Sequence, residues 1–166
     1  MESLENPDIT LLDRVKIQTE LLVPLLRDLR VELGNEKANE IVYKSLRSIL
    51  RKHYQELGAL KNGSGKEKWA SLTEDLLKII GNDVEIEHLQ DDEQVLNLDV
   101  TGCRYAQYFH RLGESELGSI LTCEIDEHTV EVGKTDVKLD RPQTIMKGGK
   151  RCQFRYKFNK NAARGV

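Results

Sequence analysis

The sequence predicts an α+β fold, in which an N-terminal helical bundle packs with a small antiparallel sheet that ends in a C-terminal β-hairpin. Two observations carry this prediction. Apolar residues recur at helical spacing through residues 1–81, and they alternate with polar residues, as in half-buried strands, in segments of residues 82–158. We expect the 166 residues to form a single domain with a short tail at 159–166.

The first predicted helix is rich in leucine and begins after a capping residue. Asn6 followed by Pro7 is typical of a helix start, because proline lacks the N–H that would be unsatisfied there. Pro24 lies inside the apolar stripe, where it should kink or split the helix, and Gly34 should end it. The leucine-rich helix also makes a homodimer reasonable.

Two more helices are predicted before the sequence changes character. The second should run from about residue 36 to 57 and end at Gly58. The third should run from about residue 66 to 80 and end at Gly81. This half does not combine a nucleophile, a base and an anion-binding side chain at useful spacing, so we assign it to packing.

The second half alternates between strands and helices. Residues 84–87 and 96–100 show the apolar alternation of a hairpin, with an acidic turn between them. A helix should begin near Cys103 and end at Gly113, and a second helix should run from about residue 115 to 123, with a continuation to His128 left open.

A C-terminal hairpin is predicted around the Gly-Gly pair at 148–149, which suits a two-residue primed turn. In this register Arg141 lies opposite Tyr156, and Gln143 lies opposite Phe154. The side that carries the apolar residues should face the core, and its members are Cys152, Phe154, Tyr156 and Phe158.

The predicted register places a cation on the core side of the hairpin. Arg141 and Gln143 would project there beside a thiol and a phenol. A buried guanidinium without a partner is very costly. Either a protein carboxylate pairs with Arg141, with Asp126 or Glu114 as candidates, or the site accepts an anionic ligand.

Composition excludes several classes of protein. A net charge of −3 gives no general electrostatic case for binding nucleic acid. No run approaches 18 apolar residues, so no membrane span is predicted. The sequence begins without a signal-peptide pattern, and its 3 cysteines include no CxxC pair. We therefore expect a cytoplasmic protein with reduced thiols.

Three segments carry a resemblance to a known family. They are the run GCRYAQYFHRLGESELG at 102–118, Cys-Glu-Ile-Asp at 123–126, and RPQTIMKGGKRCQFRY at 141–156. These segments resemble the L-2-amino-thiazoline-4-carboxylic acid hydrolase family, and the resemblance is specific over about residues 98–158. One departure is Gln153, where the family has aspartate.

The resemblance implies hydrolytic opening of a cyclic, amidine-like thiazoline amino acid, at a C–N or C–S bond, on the way to cysteine. Arg141 would hold the substrate carboxylate through a forked pair of hydrogen bonds. One cysteine would attack as a thiolate, and Asp126 or His110 would move protons. The candidate catalytic residues are Cys103, His110, Cys123, Asp126 and Cys152, and the candidate substrate-binding residues are Tyr105, Arg141, Gln143, Phe154 and Tyr156.

Other functions stay open on the sequence. The same architecture would serve a non-catalytic small-molecule-binding or sensor module, and it resembles the 4-vinyl reductase-like binding domains in outline. The departure at Gln153 would also suit a degenerate family member. No cofactor is predicted, and the weaker alternative is zinc held by soft and hard donors among Cys103, Cys123, Asp126, His128 and Cys152.

Overall fold

The computed structural model describes residues 9–159 and has the predicted α+β architecture, with a helical N-terminal region and an antiparallel sheet. No helix among these residues is long and apolar enough to cross a membrane. The helices and strands are α1 (Leu11–Leu33), α2 (Asn35–Leu60), α3 (Gly65–Ile80), β1 (Val84–Asp91), β2 (Val95–Cys103), α4 (Arg104–Leu112), α5 (Ser115–Gly118), α6 (Glu124–Thr129), β3 (Val137–Asp140) and β4 (Cys152–Phe158).

Helix α1 runs unbroken through Pro24, so the prediction that proline could split it is wrong. Val23 and Leu26, on either side of the proline, are both buried, and their packing holds the two halves together. The helix is capped by Thr10, whose side chain accepts a hydrogen bond from the backbone N–H of Asp13. The predicted start at residues 6–7 lies outside the described residues.

Helix α2 continues past Gly58 to Leu60, so the predicted end at this glycine is wrong. Gly58 is buried, and a Cβ atom there would lie 2.5 Å from the backbone oxygen of Val132. The glycine therefore permits a close approach of two backbones and does not end the helix. Helix α3 follows the prediction and begins with a capping box formed by Ser64 and Glu67.

The four strands form one antiparallel sheet in the order β1-β2-β4-β3. The residues that were predicted to face the core from β4 are all buried: Cys152, Phe154, Tyr156 and Phe158. Trp69 of α3 covers them, with its ring centre 4.4 Å from that of Tyr156 and 5.3 Å from that of Phe158.

The predicted hairpin with a two-residue Gly-Gly turn is wrong. Strand β4 pairs with β3, and the chain between them forms a longer loop with a 3₁₀ turn at Ile145–Lys147. Leu139 lies opposite Tyr156, so the pairing is shifted by two residues from the predicted register. Because side chains alternate with a period of two, this shift leaves Arg141 on the predicted side of the sheet.

A second correction concerns Gln143. Strand pairing ends at Asp140, before this residue, and Pro142 cannot donate a backbone hydrogen bond to a ladder. Gln143 still accepts a hydrogen bond from the backbone N–H of Gln153 through its own backbone oxygen, but the residue as a whole is exposed. It therefore does not project into the core beside a thiol, as the hairpin register predicted.

Candidate functional site

The site is built around Arg141, which follows β3 and whose side chain is only 4% exposed. Its Nη1 donates to Oδ2 of Asp126 and to the backbone oxygen of Cys123, each at 2.8 Å. The guanidinium carbon lies 5.0 Å from the centre of the Phe154 ring, a cation–π distance. Asp126 is therefore the carboxylate partner that the buried guanidinium requires.

Glu114, the other candidate partner, belongs to a different cluster. Its carboxylate accepts hydrogen bonds from Arg27 and Arg30 of α1, each at 2.8 Å. It therefore ties α1 to the α4–α5 region, and it leaves Asp126 as the partner of Arg141.

Within residues 9–159, the buried guanidinium keeps an unsatisfied donor at Nε. Nε of Arg141 has no hydrogen-bond partner among the described residues, and the nearest carboxylate oxygen, Oε1 of Glu127, lies 3.6 Å away. A buried N–H without an acceptor is unfavourable by about 1–3 kcal/mol. An anion bound at this edge of Arg141 would remove that penalty.

Arg141 forms part of the wall of a cavity of about 350 Å³, a volume typical of small-molecule sites. The wall carries charges of both signs, from Arg141 and Lys147 and from two glutamates. The lining residues are Ser119, Cys123, Glu124, Glu127, Arg141, Pro142, Gln143, Thr144, Lys147, Gly148 and Gly149.

A π-helical segment at Ser119–Cys123 explains how Cys123 reaches the site. The segment interrupts the helical stretch between α5 and α6. A π-bulge displaces the regular i→i−4 hydrogen bonds, and such bulges are frequent at functional sites. The backbone oxygen of Cys123 accepts a hydrogen bond from Arg141 here, and the residue lines the cavity.

Asp126 is the electrostatic centre of the site. Burial raises its pKa to about 6, and the positive charge of Arg141 opposes that rise. Its side chain is 38% exposed, so solvent can reach the carboxylate, although Asp126 is not among the residues that line the cavity. Besides the effect of burial, its charge raises the pKa values of groups on four other parts of the chain: Tyr54, Cys103, Cys123, Cys152 and Tyr156.

The structure therefore brings the three cysteines, Asp126 and Arg141 into one region. Burial raises the pKa of Cys123 to about 12, and it also raises the pKa values of Cys103 and Cys152. Cys103 and Cys152 already accept backbone hydrogen bonds at sulfur, at 3.4 and 3.2 Å. At neutral pH the thiolate is a minor species in all three, which disfavours the sequence-based expectation of a thiolate nucleophile.

Of the predicted site residues, only Cys123, Arg141 and Gln143 line the cavity. The others lie outside its wall: Cys103, Tyr105, His110, Asp126, Cys152, Phe154 and Tyr156. His110 is exposed on α4, and its Nε2 lies 3.1 Å from the backbone oxygen of Met146. Tyr105 is buried, and its hydroxyl has no hydrogen-bond partner in the described part of the chain. Burial, followed by the charge of Asp83, raises its pKa. Neither residue lines the cavity around Arg141.

Among residues 9–159, no three His, Cys, Asp or Glu side chains are grouped so as to hold a metal ion. The zinc alternative therefore gains no support from the arrangement of its donors. His128 is 5% exposed, and neither of its ring nitrogens has a hydrogen-bond partner among the described residues.

Sequence reasoning missed several residues of the site. Glu127 follows Cys123 by four residues and so shares its helix face, a spacing that could have identified it. Tyr54 on α2 had no such signal, because only tertiary packing brings it within range of Asp126. The other residues missed in the cavity wall are Ser119, Glu124, Pro142, Thr144, Lys147, Gly148 and Gly149.

The fold and the site define a small α+β protein in which a buried arginine–aspartate pair borders a mixed-charge cavity. The model of the L-2-amino-thiazoline-4-carboxylic acid hydrolase family matches residues 14–156. The chain therefore belongs to this family, and the match includes the helical half as well as the motifs at 98–158.

Other comparisons add little. No curated protein matches the chain. Among solved structures, the crystal structure of Fe(II) unliganded H-NOX protein from K. algicida is similar, with 16% sequence identity and a TM-score of 0.43. The similarity covers 89% of this chain and 76% of that one, and a TM-score this low carries no argument about function.

Proposed function

We propose that this protein is a hydrolase that opens the ring of a cyclic, amidine-like thiazoline amino acid at a C–N or C–S bond. Membership of the hydrolase family supports the reaction class. The single observation that carries the proposal is that Arg141 is buried at the wall of a cavity and that its Nε has no hydrogen-bond acceptor within residues 9–159. The free, reduced state of Cys103, Cys123 and Cys152 is consistent with the cytoplasmic location that we also propose.

In this proposal Arg141 binds the substrate carboxylate. The guanidinium keeps its Nη1 contacts to Asp126 and to the backbone oxygen of Cys123. The buried Nε, which has no hydrogen-bond partner among the described residues, donates to the carboxylate once the ligand displaces Glu127 from its position 3.6 Å away. A charge-assisted hydrogen bond of this kind contributes about 1.5–3 kcal/mol to the free energy of ligand binding. Glu124 and Glu127 supply negative charge in the same cavity, which suits the cationic amidine end of the substrate.

Asp126 acts as the general base in the proposed reaction. Its carboxylate takes a proton from a water molecule, and the water oxygen bonds to the ring carbon between nitrogen and sulfur. As the water oxygen bonds, the electrons of the C=N π bond move onto nitrogen. When the tetrahedral intermediate collapses, the new hydroxyl becomes a carbonyl and releases its proton to solvent, the C–N or C–S bond of the ring breaks, and the leaving nitrogen or sulfur takes the proton held by Asp126. A pKa of about 6 suits both proton transfers near neutral pH.

Water attack fits the site better than thiol attack. A base with a pKa of about 6 would deprotonate Cys123, with a pKa of about 12, only at a cost of about 8 kcal/mol. Cys123 is then a wall of the cavity and a weak hydrogen-bond donor. The departure at Gln153 does not disturb this arrangement, because Gln153 pairs with Asp99 on the face of the sheet opposite Phe154.

The test is to incubate the protein with L-2-amino-thiazoline-4-carboxylic acid and to follow the mass of the product. Addition of one water molecule is expected with the wild type, with a rate that falls as the pH drops through about 6 and Asp126 becomes protonated. Asp126→Asn should keep binding the ligand and lose at least a hundredfold in rate. If the wild type binds the ligand without turnover, the non-catalytic binding module replaces the hydrolase.

A further inference from the structure

A stripe of apolar side chains lies exposed along α1. Ile17, Leu21 and Leu25 are 57%, 74% and 52% exposed. Residues four apart lie on one face of a helix, so the three side chains form a continuous row. The helix buries a different face in the protein, with Leu12, Thr19, Val23 and Leu26. The exposed row is therefore not needed for the internal packing of α1.

Two opposite charges lie at the ends of this stripe. Arg14 and Asp28 are each seven residues from Leu21, one before it and one after it. Seven residues are close to two helical turns, so both charges lie on the same face as Leu21. Within residues 9–159, no ion pair involves Arg14 or Asp28, whereas Asp13, Arg27 and Arg30 of the same helix are paired.

We propose that a second copy of this chain covers the stripe, with the two α1 helices antiparallel and a two-fold axis beside Leu21. That axis places residue i opposite residue 42 − i of the other copy. Ile17 then packs against Leu25 of the other copy, and Arg14 lies opposite its Asp28. Because the two-fold axis repeats each contact, the dimer interface buries two Ile17–Leu25 pairs and forms two Arg14–Asp28 ion pairs.

The charges select this orientation of the two helices. A parallel arrangement would bring Arg14 beside Arg14 and Asp28 beside Asp28, and like charges across an interface are unfavourable. The antiparallel arrangement pairs opposite charges at both ends. The seam from residue 14 to 28 is about 21 Å long at 1.5 Å per residue. Such a short seam corresponds to a small interface, so we expect the dimer to be weak and its population to depend on protein concentration.

The test uses the full chain and two single charge reversals, measured by sedimentation equilibrium over a concentration series. Arg14→Asp and Asp28→Arg should each weaken self-association at least tenfold, because each creates two like-charge contacts. A mixture of the two variants should associate at least as well as the wild type, since every contact in the mixed dimer then joins opposite charges. The double variant R14D/D28R should recover self-association for the same reason.

A matched control distinguishes association through this stripe from non-specific hydrophobic association. Leu21→Asp should abolish association, whereas Ile49→Asp, at a position 64% exposed on α2, should not change it. Circular dichroism should show the same helical content in every variant, because all of these positions are on the surface. The proposal is overturned if the wild type is monomeric throughout, if the mixed variants do not associate, or if Ile49→Asp disrupts the dimer and Leu21→Asp does not.

Discussion

Replacing Arg141 with methionine is the most informative perturbation of the proposed site. Methionine has a similar length but lacks the charge, so the cavity keeps most of its shape. The variant loses the donor that we assign to the substrate carboxylate. Loss of a charge-assisted hydrogen bond of about 1.5–3 kcal/mol corresponds to a roughly tenfold to hundredfold weaker affinity.

The same substitution also affects stability, and the structure indicates how much. Breaking a fully buried ion pair costs about 3–5 kcal/mol. Asp126 is 38% exposed, so water can solvate its carboxylate when Arg141 is gone, and we expect a loss of only about 1–2 kcal/mol. The folded protein should therefore remain available for binding measurements.

The assay is isothermal titration calorimetry with two ligands, the thiazoline carboxylate and the same ring without its carboxyl group. Arg141→Met should weaken binding of the first ligand by the factor given above and leave the second within about twofold. Lys147→Met removes the exposed cation in the same cavity wall and serves as the control. An equal loss for both ligands, or a larger loss with Lys147→Met, would refute the assignment of Arg141 to the carboxylate.

Three further predictions follow from the structure. Because the pKa of Asp126 is raised from 3.8 to about 6, the folded state binds the proton more tightly, and the free energy of unfolding should fall by about 1 kcal/mol as the pH rises from about 4 to 6. The free energy of unfolding is measured by urea denaturation of the wild type and of Asp126→Asn at a series of pH values. The same dependence on pH in both proteins would contradict the prediction. Iodoacetamide should label the three cysteines slowly in the native protein at pH 7 and rapidly in urea, because burial raises the pKa values of these thiols in the folded state. If mass spectrometry shows that one thiol of the native protein is labelled rapidly, that cysteine becomes the candidate nucleophile again. Gly58→Ala should lower the free energy of unfolding by about 1–3 kcal/mol, because the new Cβ would lie 2.5 Å from the backbone oxygen of Val132. A melting temperature equal to that of the wild type would argue against this contact.

The sequence alone carried the element pattern over most of the chain. Helical spacing located α2 and α3 closely, and Gly34, Gly81 and Gly113 end helices where they were predicted to do so. These features depend on residues within one or two turns of each other. Alternation in β4 also identified the buried face of the strand, because period two fixes which side chains share a side.

Interpretations that needed longer-range information were less successful. A Gly-Gly pair suits a tight turn locally, but β4 pairs with β3, which ends at Asp140, well before the glycine pair. Gly58 was taken for a helix end because the packing of Val132 against it is not visible in the local sequence. In both cases a contact distant in sequence outweighed a local preference.

The sequence by itself determined the α+β class, the helix ends at Gly34, Gly81 and Gly113, the buried face of β4 and the membership of a hydrolase family. Only the tertiary structure decided that Asp126, and not Glu114, pairs with Arg141, and that burial keeps the thiols protonated. The reason is that pairing and pKa depend on distance and desolvation, and both are set by which elements pack together and not by the spacing of residues along the chain.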